Sequence, residues 1–223
     1  MGNETSLHSA IKNWYSQPGD QIEAKVDGFI VDIVRDDVLI EVQTRNFSAM
    51  KKKLKSLLAS HTVRLVYPIA KEKWIIYINP SNGARIGRRR SPRKGDMLDI
   101  FVELVRIPEL LREDNFTIEV LMIKEEETRC ADGKGSWRRR GLSVKDRRLV
   151  EVVGTMVFAN IEDYLKLLPN DLVQPFTNRM LAKHMGVTVR RVRRITYCLR
   201  KMEAIKEVGR NGKGLLFAFS GVD

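Results

Sequence analysis

Residues 29–44 read FIVDIVRDDVLIEVQT, two runs rich in valine and isoleucine on either side of the pair Asp36–Asp37. β-Branched residues favour strands, and a short acidic pair between two such runs predicts a hairpin turn. A two-residue turn fixes the register of the hairpin, so Asp32 is expected directly opposite Glu41. Gln43 follows Glu41 by two residues and therefore points to the same face of the sheet.

Two interpretations of this acidic pair are open. Asp32 and Glu41 are either solvated on a wet face of the sheet, or they hold a divalent cation that offsets the repulsion between opposed carboxylates. The rest of the hairpin is mostly apolar, as in a strand that is buried on both faces. Because buried acids require partners, this composition favours the cation site.

The segments around the hairpin predict an order of helix, three strands, helix and strand. In the second helix, apolar residues recur at helical spacing and the lysines lie mostly off that stripe, on a face that is either solvated or turned toward phosphate. The predicted elements are a helix over residues 6–15, strands over 22–27, 29–35 and 38–44, a helix over 46–60, and a strand over 63–68.

With this order and with Val31-Asp32 followed by Glu41-Val42-Gln43, the sequence resembles the PD-(D/E)XK nuclease superfamily over roughly residues 5–78. The resemblance implies an α/β nuclease-like core with a central mixed sheet. It implies Asp32, Glu41 and Gln43 as catalytic residues, and Mg²⁺ or Mn²⁺ held by Asp32, Glu41 and the backbone carbonyl of Val42. Gln43 stands where the family usually has lysine, so it would orient the attacking water instead of acting as a strong base. Glu23 is an additional candidate ligand.

The charge of the chain is concentrated near its C-terminal end. The 223 residues carry a net charge of +12, of which residues 173–223 hold +8. Such an excess favours a polyanionic partner, most commonly nucleic acid. We therefore expect DNA as a partner and a separate basic segment that contacts it.

The order of elements in residues 172–221 predicts two helices and a hairpin. A short helix ends at Gly186, and Thr188 caps a second helix. Two strands follow over residues 204–208 and 215–219, with a basic glycine-rich tip between them. This order resembles a winged-helix domain, an α+β helix-turn-helix fold in which the second helix enters the DNA major groove and the hairpin contacts a neighbouring phosphate or the minor groove.

The winged-helix resemblance implies a DNA-binding set at the start of the second helix and on the hairpin. Arginine at such positions binds guanine edges or phosphates. A solvated helix surface and a protein-binding winged helix are the alternatives. The residues of the set are Arg190, Arg191, Arg193, Arg194, Arg210 and Lys213.

Three regions follow from these patterns. They are a restriction-endonuclease-like core over residues 1–80, a basic loop with an α/β extension or middle module over 81–170, and a winged-helix domain over 171–223. In the middle region, turn formers and like charges predict a loop over residues 79–95. Trp137, beside three arginines, either stacks on an unpaired base or packs in an ordinary loop. The remaining predicted elements there are a helix from Asp96 to about Arg106, strands over 116–124 and 149–158, and a short helix over 160–168.

Several classes of protein are not indicated. No run approaches 18 apolar residues, so no membrane span is expected. The first residues lack the basic region and apolar core of a secretory signal. Cys130 and Cys198 are far apart in sequence, without nearby histidine or cysteine, and are expected to be reduced thiols. A cytoplasmic protein is expected, associated with the nucleoid if the source is prokaryotic.

The favoured hypothesis is a metal-dependent endonuclease that binds DNA and cleaves its phosphodiester bonds. The alternative is a catalytically inactive, nuclease-like regulator or assembly factor that binds DNA without cutting it. The glutamine at position 43 is the feature that supports the alternative. A homodimer or a protein partner is compatible with both hypotheses.

Overall fold

The structure, a computed structural model, describes residues 6–212 and 214–221. Short 3-10 helices at Phe47–Ala49, Met97–Ile100, Pro108–Leu110 and Trp137–Arg139 interrupt the regular elements. The α-helices are α1 (Ser6–Tyr15), α2 (Lys51–Leu58), α3 (Phe101–Leu104), α4 (Ile161–Leu165), α5 (Asn178–His184) and α6 (Val189–Lys201). The strands are β1 (Gln21–Val26), β2 (Phe29–Arg35), β3 (Val38–Val42), β4 (Thr62–Ile78), β5 (Arg85–Arg90), β6 (Phe116–Cys130), β7 (Ser143–Phe158), β8 (Phe176–Thr177), β9 (Ile205–Asn211) and β10 (Gly214–Phe219).

A large mixed sheet of seven strands dominates the fold. Its order is β1-β2-β3-β4-β6-β7, and β5 pairs with β4 outside this path. The predicted α/β class with a mixed sheet is confirmed. No helix in the described part of the chain is long and apolar enough to cross a bilayer.

The hairpin predicted over residues 29–44 forms with the expected register. Strands β2 and β3 are antiparallel, with Arg35 opposite Val38 and Ile33 opposite Ile40. The turn between them contains Asp36 at a φ of +49°. Aspartate tolerates this left-handed conformation because its short side chain can bond to the local backbone.

The apolar stripe of α1 packs against the face of this hairpin. Leu7, Ile11 and Tyr15 recur every four residues along the helix and are buried. They form one cluster with Ile33 and Ile40 and with further residues of β3, β4 and β6. The helix is thereby fixed over the strands that carry the predicted catalytic residues.

The chain divides into two compact units, each assembled from separate stretches. The first comprises residues up to 44, 65–97 and 119–156, and the second comprises 45–64, 98–118 and 157 onward. The stretches that form each unit alternate along the chain. The predicted division into three regions follows changes in charge and residue pattern along the sequence, and it stays a prediction.

The second unit contains the two C-terminal helices and a small antiparallel sheet in the order β8-β10-β9. Thr177 caps α5 by accepting a hydrogen bond from the Met180 N–H at 3.2 Å, and Thr188 caps α6 through the Arg191 N–H at 3.3 Å. Phe176 of β8 packs on Phe217 of β10.

Several predicted elements differ from the structure. The segment 79–95 was expected to be a loop, but Arg85–Arg90 forms β5 on β4. The like charges of this strand are compensated by neighbours, because Arg90 pairs with Glu72 at 2.7 Å and the Arg88 guanidinium lies 3.8 Å from the centre of the Trp74 ring. The helix expected from Asp96 is a 3-10 turn followed by the short α3, and β4, β6 and β7 are longer than the strands predicted there.

Candidate functional site

Three carboxylates of the first unit occupy one row across neighbouring strands, and we call them the acid row. Ile33 pairs with Ile22 on β1 and with Ile40 on β3, and continuing both registers by one residue places Asp32 between Glu23 and Glu41. The β1–β2 pairing skips Glu23, whose φ of +54° lies in the left-handed region. The sheet is therefore locally distorted where the row crosses it.

The side chain of Asp32 is held from two sides. The Val42 N–H on β3 donates a hydrogen bond to Asp32 Oδ2 at 2.8 Å. His8 Nε2 on α1 lies 3.1 Å from the same oxygen. With 16% of its side chain exposed, Asp32 is linked to both the sheet and the helix but still borders solvent.

Helix α1 also supplies a cation to the acid row. Lys12 lies one turn after His8, and its Nζ is 2.5 Å from Glu23 Oε1. The Lys12 side chain is only 7% exposed, whereas that of Glu23 is 57% exposed. The imidazole and the ammonium group of one helix face thus meet two members of the row.

The other predicted catalytic residues, Glu41 and Gln43, lie on and just after β3. Glu41 is 2% exposed. Gln43 follows the last residue of β3, and its N–H donates to the Val66 carbonyl at 2.9 Å. The structure therefore brings Asp32 and Glu41 into adjacent positions, with Gln43 just beyond them along the strand.

The oxygen ligands of the acid row suit a hard cation, but His8 of α1 contacts one of these oxygens. Mg²⁺ prefers carboxylate and carbonyl oxygens, as offered by Asp32, Glu41 and the backbone of Val42. The amide and carbonyl of a strand residue face the same neighbouring strand, so the Val42 carbonyl lies on the side of β2. A cation on Asp32 would compete with His8. No group of three His, Cys, Asp or Glu side chains in the described residues is arranged to hold a metal ion.

A second candidate site, which we call the helix–hairpin surface, comprises the start of α6 and the β9–β10 tip in the second unit. Arg190 and Arg193 are exposed, and Arg194 is half-buried. Among the described residues no carboxylate forms an ion pair with these three arginines. Arg191, by contrast, donates to Asp99 at 3.1 Å. The four predicted arginines therefore separate into three that are available to a partner and one that is used within the unit.

A groove of about 700 Å³ lies between α6 and the hairpin tip. Arg193 lines it from α6, Arg179 from α5, and Asn211 with Gly212 from the tip. Arg210, also predicted to contact DNA, is exposed on β9. Lys213, the last member of the predicted set, lies outside the described residues.

Sequence reasoning did not identify His8 and Lys12. A signal was present, because the stripe formed by Leu7, Ile11 and Tyr15 places His8 and Lys12 beside the buried face of the helix. Which acids they meet depends on where α1 lies on the sheet, and local periodicity contains no information on that placement.

Comparison with known proteins relates the first part of the chain to one family. A family model described as "Domain of unknown function (DUF8091)" matches residues 5–159. An uncharacterized protein of Treponema pallidum (strain Nichols) is 34% identical over 158 residues, which cover 70% of this chain and 62% of the relative. The chain thus spans less than two thirds of that relative. No solved structure matches the chain. The matched range includes the acid row and ends before the helix–hairpin surface.

Proposed function

The chain belongs to the family of the domain of unknown function DUF8091, and we propose that this member binds double-stranded DNA through its helix–hairpin surface. The observation that carries this proposal is the group of arginines at the start of α6. Arg190, Arg193 and Arg194 have no acidic partner in the described residues, although acidic residues lie elsewhere in the same unit. Because guanidinium groups stay charged at all physiological pH values, they favour a polyanionic partner.

The order and packing of the elements support a winged-helix mode of binding. Val192, Ile195 and Leu199 are buried and fix one face of α6. The arginines lie on other faces of the same helix, at its N-terminal end. A helix of this size fits the major groove of DNA, where arginine donates paired hydrogen bonds to guanine. The β9–β10 hairpin would contact the neighbouring phosphate backbone of the DNA through the exposed Arg210.

Fluorescence anisotropy with a labelled duplex tests this proposal. Replacing Arg190, Arg193 and Arg194 together with glutamine is expected to weaken binding roughly a hundredfold. The salt dependence of affinity should also fall by about one unit of slope for each phosphate contact that is lost. The control replaces Lys51, Lys52 and Lys55 of α2, which also removes three positive charges from the second unit, one of them (Lys51) paired with Glu109.

If both triple variants lose equal affinity and equal salt dependence, the helix–hairpin surface contributes no more to DNA binding than the lysines of α2, and the proposal is wrong. A protein partner would then be the next candidate for this surface. If only the arginine variant loses affinity, the general charge of the chain does not explain binding.

A second function, hydrolysis of phosphodiester bonds at the acid row, is favoured by the adjacent positions of Asp32 and Glu41. These carboxylates and the Val42 carbonyl would hold Mg²⁺ or Mn²⁺. A metal bound there would polarise a phosphate and lower the pKa of an attacking water. Gln43 would orient the water, since an amide is not a strong base. His8 would have to give up its contact with Asp32.

Metal binding and cleavage provide separate tests of the second function. The variants Asp32→Asn and Glu41→Gln keep the size of each side chain and remove its charge. Both are expected to abolish the stabilisation of the protein by Mg²⁺ in thermal melts, to abolish metal-dependent cleavage, and to leave duplex affinity unchanged. If the parent protein shows neither response to metal while it binds duplex normally, the inactive DNA-binding alternative is supported.

A further inference from the structure

A cluster of arginines on the first unit forms a concave site that the proposed duplex-binding function does not use. We call it the arginine basin. It encloses about 460 Å³ between β4, β5, β6 and the loop before β7. Its lining residues are Tyr77, Arg89, Arg129, Arg138, Arg139, Arg140 and Leu142.

The charge of the basin is largely uncompensated. Arg129 pairs with Glu127 at 2.6 Å. In the described chain, no carboxylate is ion-paired with Arg89, Arg138, Arg139 or Arg140. Guanidinium groups crowded in this way repel one another, and an anion placed between them would remove the repulsion. Their planar forks match phosphate oxygens, which makes a phosphate backbone a suitable occupant.

Several of these arginines are fixed in place before any ligand binds. The Arg89 Nε donates to the Tyr77 hydroxyl at 2.8 Å, and the Arg139 Nε donates to the Leu142 carbonyl at 3.2 Å. Glu127, which holds Arg129, is itself bound by Lys73 at 2.9 Å. Burial acts to raise the pKa of Glu127, but its bonds from Lys73 and Arg129 outweigh burial and lower it. The acid therefore stays charged and keeps Arg129 oriented.

The loop that carries three of the arginines is closed by a glycine. The Gly135 N–H donates to the Gly141 carbonyl at 3.0 Å. A Cβ at position 135 would lie 1.9 Å from the carbonyl oxygen of Leu142, so only glycine fits there. The loop geometry thus holds Arg138–Arg140 at the edge of the basin.

The same loop exposes a large aromatic ring beside the basin. Trp137 is 83% exposed. The Arg138 guanidinium lies 5.6 Å from the centre of its ring. An indole that stays in solvent beside a set of uncompensated arginines is suited to stack on a nucleobase, and only an unpaired base presents its face for stacking. This combination favours a single strand over a duplex.

We propose that the arginine basin and Trp137 form a binding site for single-stranded DNA, in which the guanidinium groups bind phosphates and the indole stacks on a base. The site goes beyond the duplex-binding function, because all its residues belong to the first unit. It does not depend on the helix–hairpin surface.

Anisotropy titrations of the full chain with a labelled oligo(dT) probe of about 20 nucleotides test the site. Replacing Arg138, Arg139 and Arg140 with glutamine should weaken binding at least tenfold and reduce its salt dependence. Trp137→Ala should weaken binding roughly tenfold with little change in salt dependence. The matched controls are the triple lysine variant of α2 and Trp14→Ala, which removes another exposed tryptophan of the first unit.

Tryptophan fluorescence gives a second measurement. Quenching by oligo(dT) is expected in the parent protein and should be lost in Trp137→Ala but kept in Trp14→Ala. The proposal is overturned if the basin variant and the lysine variant lose equal affinity, or if Trp137→Ala and Trp14→Ala behave alike. The triple variant at Arg190, Arg193 and Arg194 should keep its affinity for oligo(dT), and this result separates the basin from the duplex proposal.

Discussion

The acid row and the helix–hairpin surface both cluster like charges, but they differ in whether groups of the same unit compensate those charges. In the acid row, carboxylates on neighbouring strands meet His8 and Lys12 of the same unit. At the start of α6, Arg190 and Arg193 meet no acid in the described chain. Removing one partner of a charge pair inside a protein destabilises the fold because the other charge is left without compensation, whereas charges that are already uncompensated at a surface are available to a partner.

This contrast leads to a general expectation. Changes to compensated charges should lower the free energy of unfolding and leave DNA affinity unchanged. Changes to uncompensated charges should lower DNA affinity and leave stability unchanged.

The largest effect on stability is expected at Asp20, a compensated acid of the first unit. Arg35 donates to both Asp20 oxygens, at 2.9 and 2.8 Å, and also to the Tyr15 carbonyl. The Asp20 side chain is 3% exposed. Asp20→Asn leaves Arg35 without its counter-charge and should lower the free energy of unfolding by about 2–3 kcal/mol in urea titrations. Asp37→Asn, at the exposed hairpin turn, is the control.

The same pair predicts a dependence on pH. The hydrogen bond from Arg35 lowers the pKa of Asp20 below its ordinary value of 3.8. A lowered pKa means that the stabilisation is present above pH 3.8 and is lost as the pH falls through the folded value. The difference in stability between the parent protein and Asp20→Asn should therefore shrink in acid. A constant difference down to strongly acidic pH would contradict this assignment.

Two neighbouring arginines on α6 give the sharpest comparison within one helix. Arg191 is engaged with Asp99, and Arg193 lines the groove beside the hairpin. Arg193→Gln should reduce duplex affinity roughly tenfold without changing the melting temperature. Arg191→Gln should lower stability slightly and change affinity much less. Equal losses of affinity from the two variants would break the distinction between compensated and uncompensated charges.

A smaller effect is expected at Lys12, which compensates a partly exposed acid. Lys12→Met keeps most of the side-chain volume and removes the ammonium group from Glu23. Because water can solvate the exposed Glu23, the loss of unfolding free energy should be about 1 kcal/mol. Lys25→Met, on the exposed part of β1, serves as the control. A clear loss of duplex affinity in Lys12→Met alone would show that the acid-row region also contacts DNA.

Local patterns predicted the parts of the fold that depend on neighbouring residues. The turn at Asp36–Asp37 fixed the pairing of Ile33 with Ile40, and the structure confirms this register. Threonine at position 188 predicted the start of α6, because its hydroxyl can accept from the first turn of the helix. Both features involve residues that are close along the chain.

Features that depend on distant pairing were predicted poorly. Arg85–Arg90 looked like a loop because four of its six residues are arginine, yet it forms a strand beside β4. Glu72 on β4 and Glu126 on β6 supply the compensating charges. Nothing in the local pattern of residues 85–90 indicates these partners.

The sequence by itself determined the hairpin with Asp32 and Glu41, the two C-terminal helices, and the excess of positive charge. Each follows from periodicity, capping or composition within a short window. Only the tertiary structure decided which charges are compensated: His8 and Lys12 meet the acid row, Arg191 turns to Asp99, and the arginine basin is assembled from separate strands and a loop. Electrostatic energy depends on distance and burial in space, and residues far apart in sequence acquire both only when the chain folds.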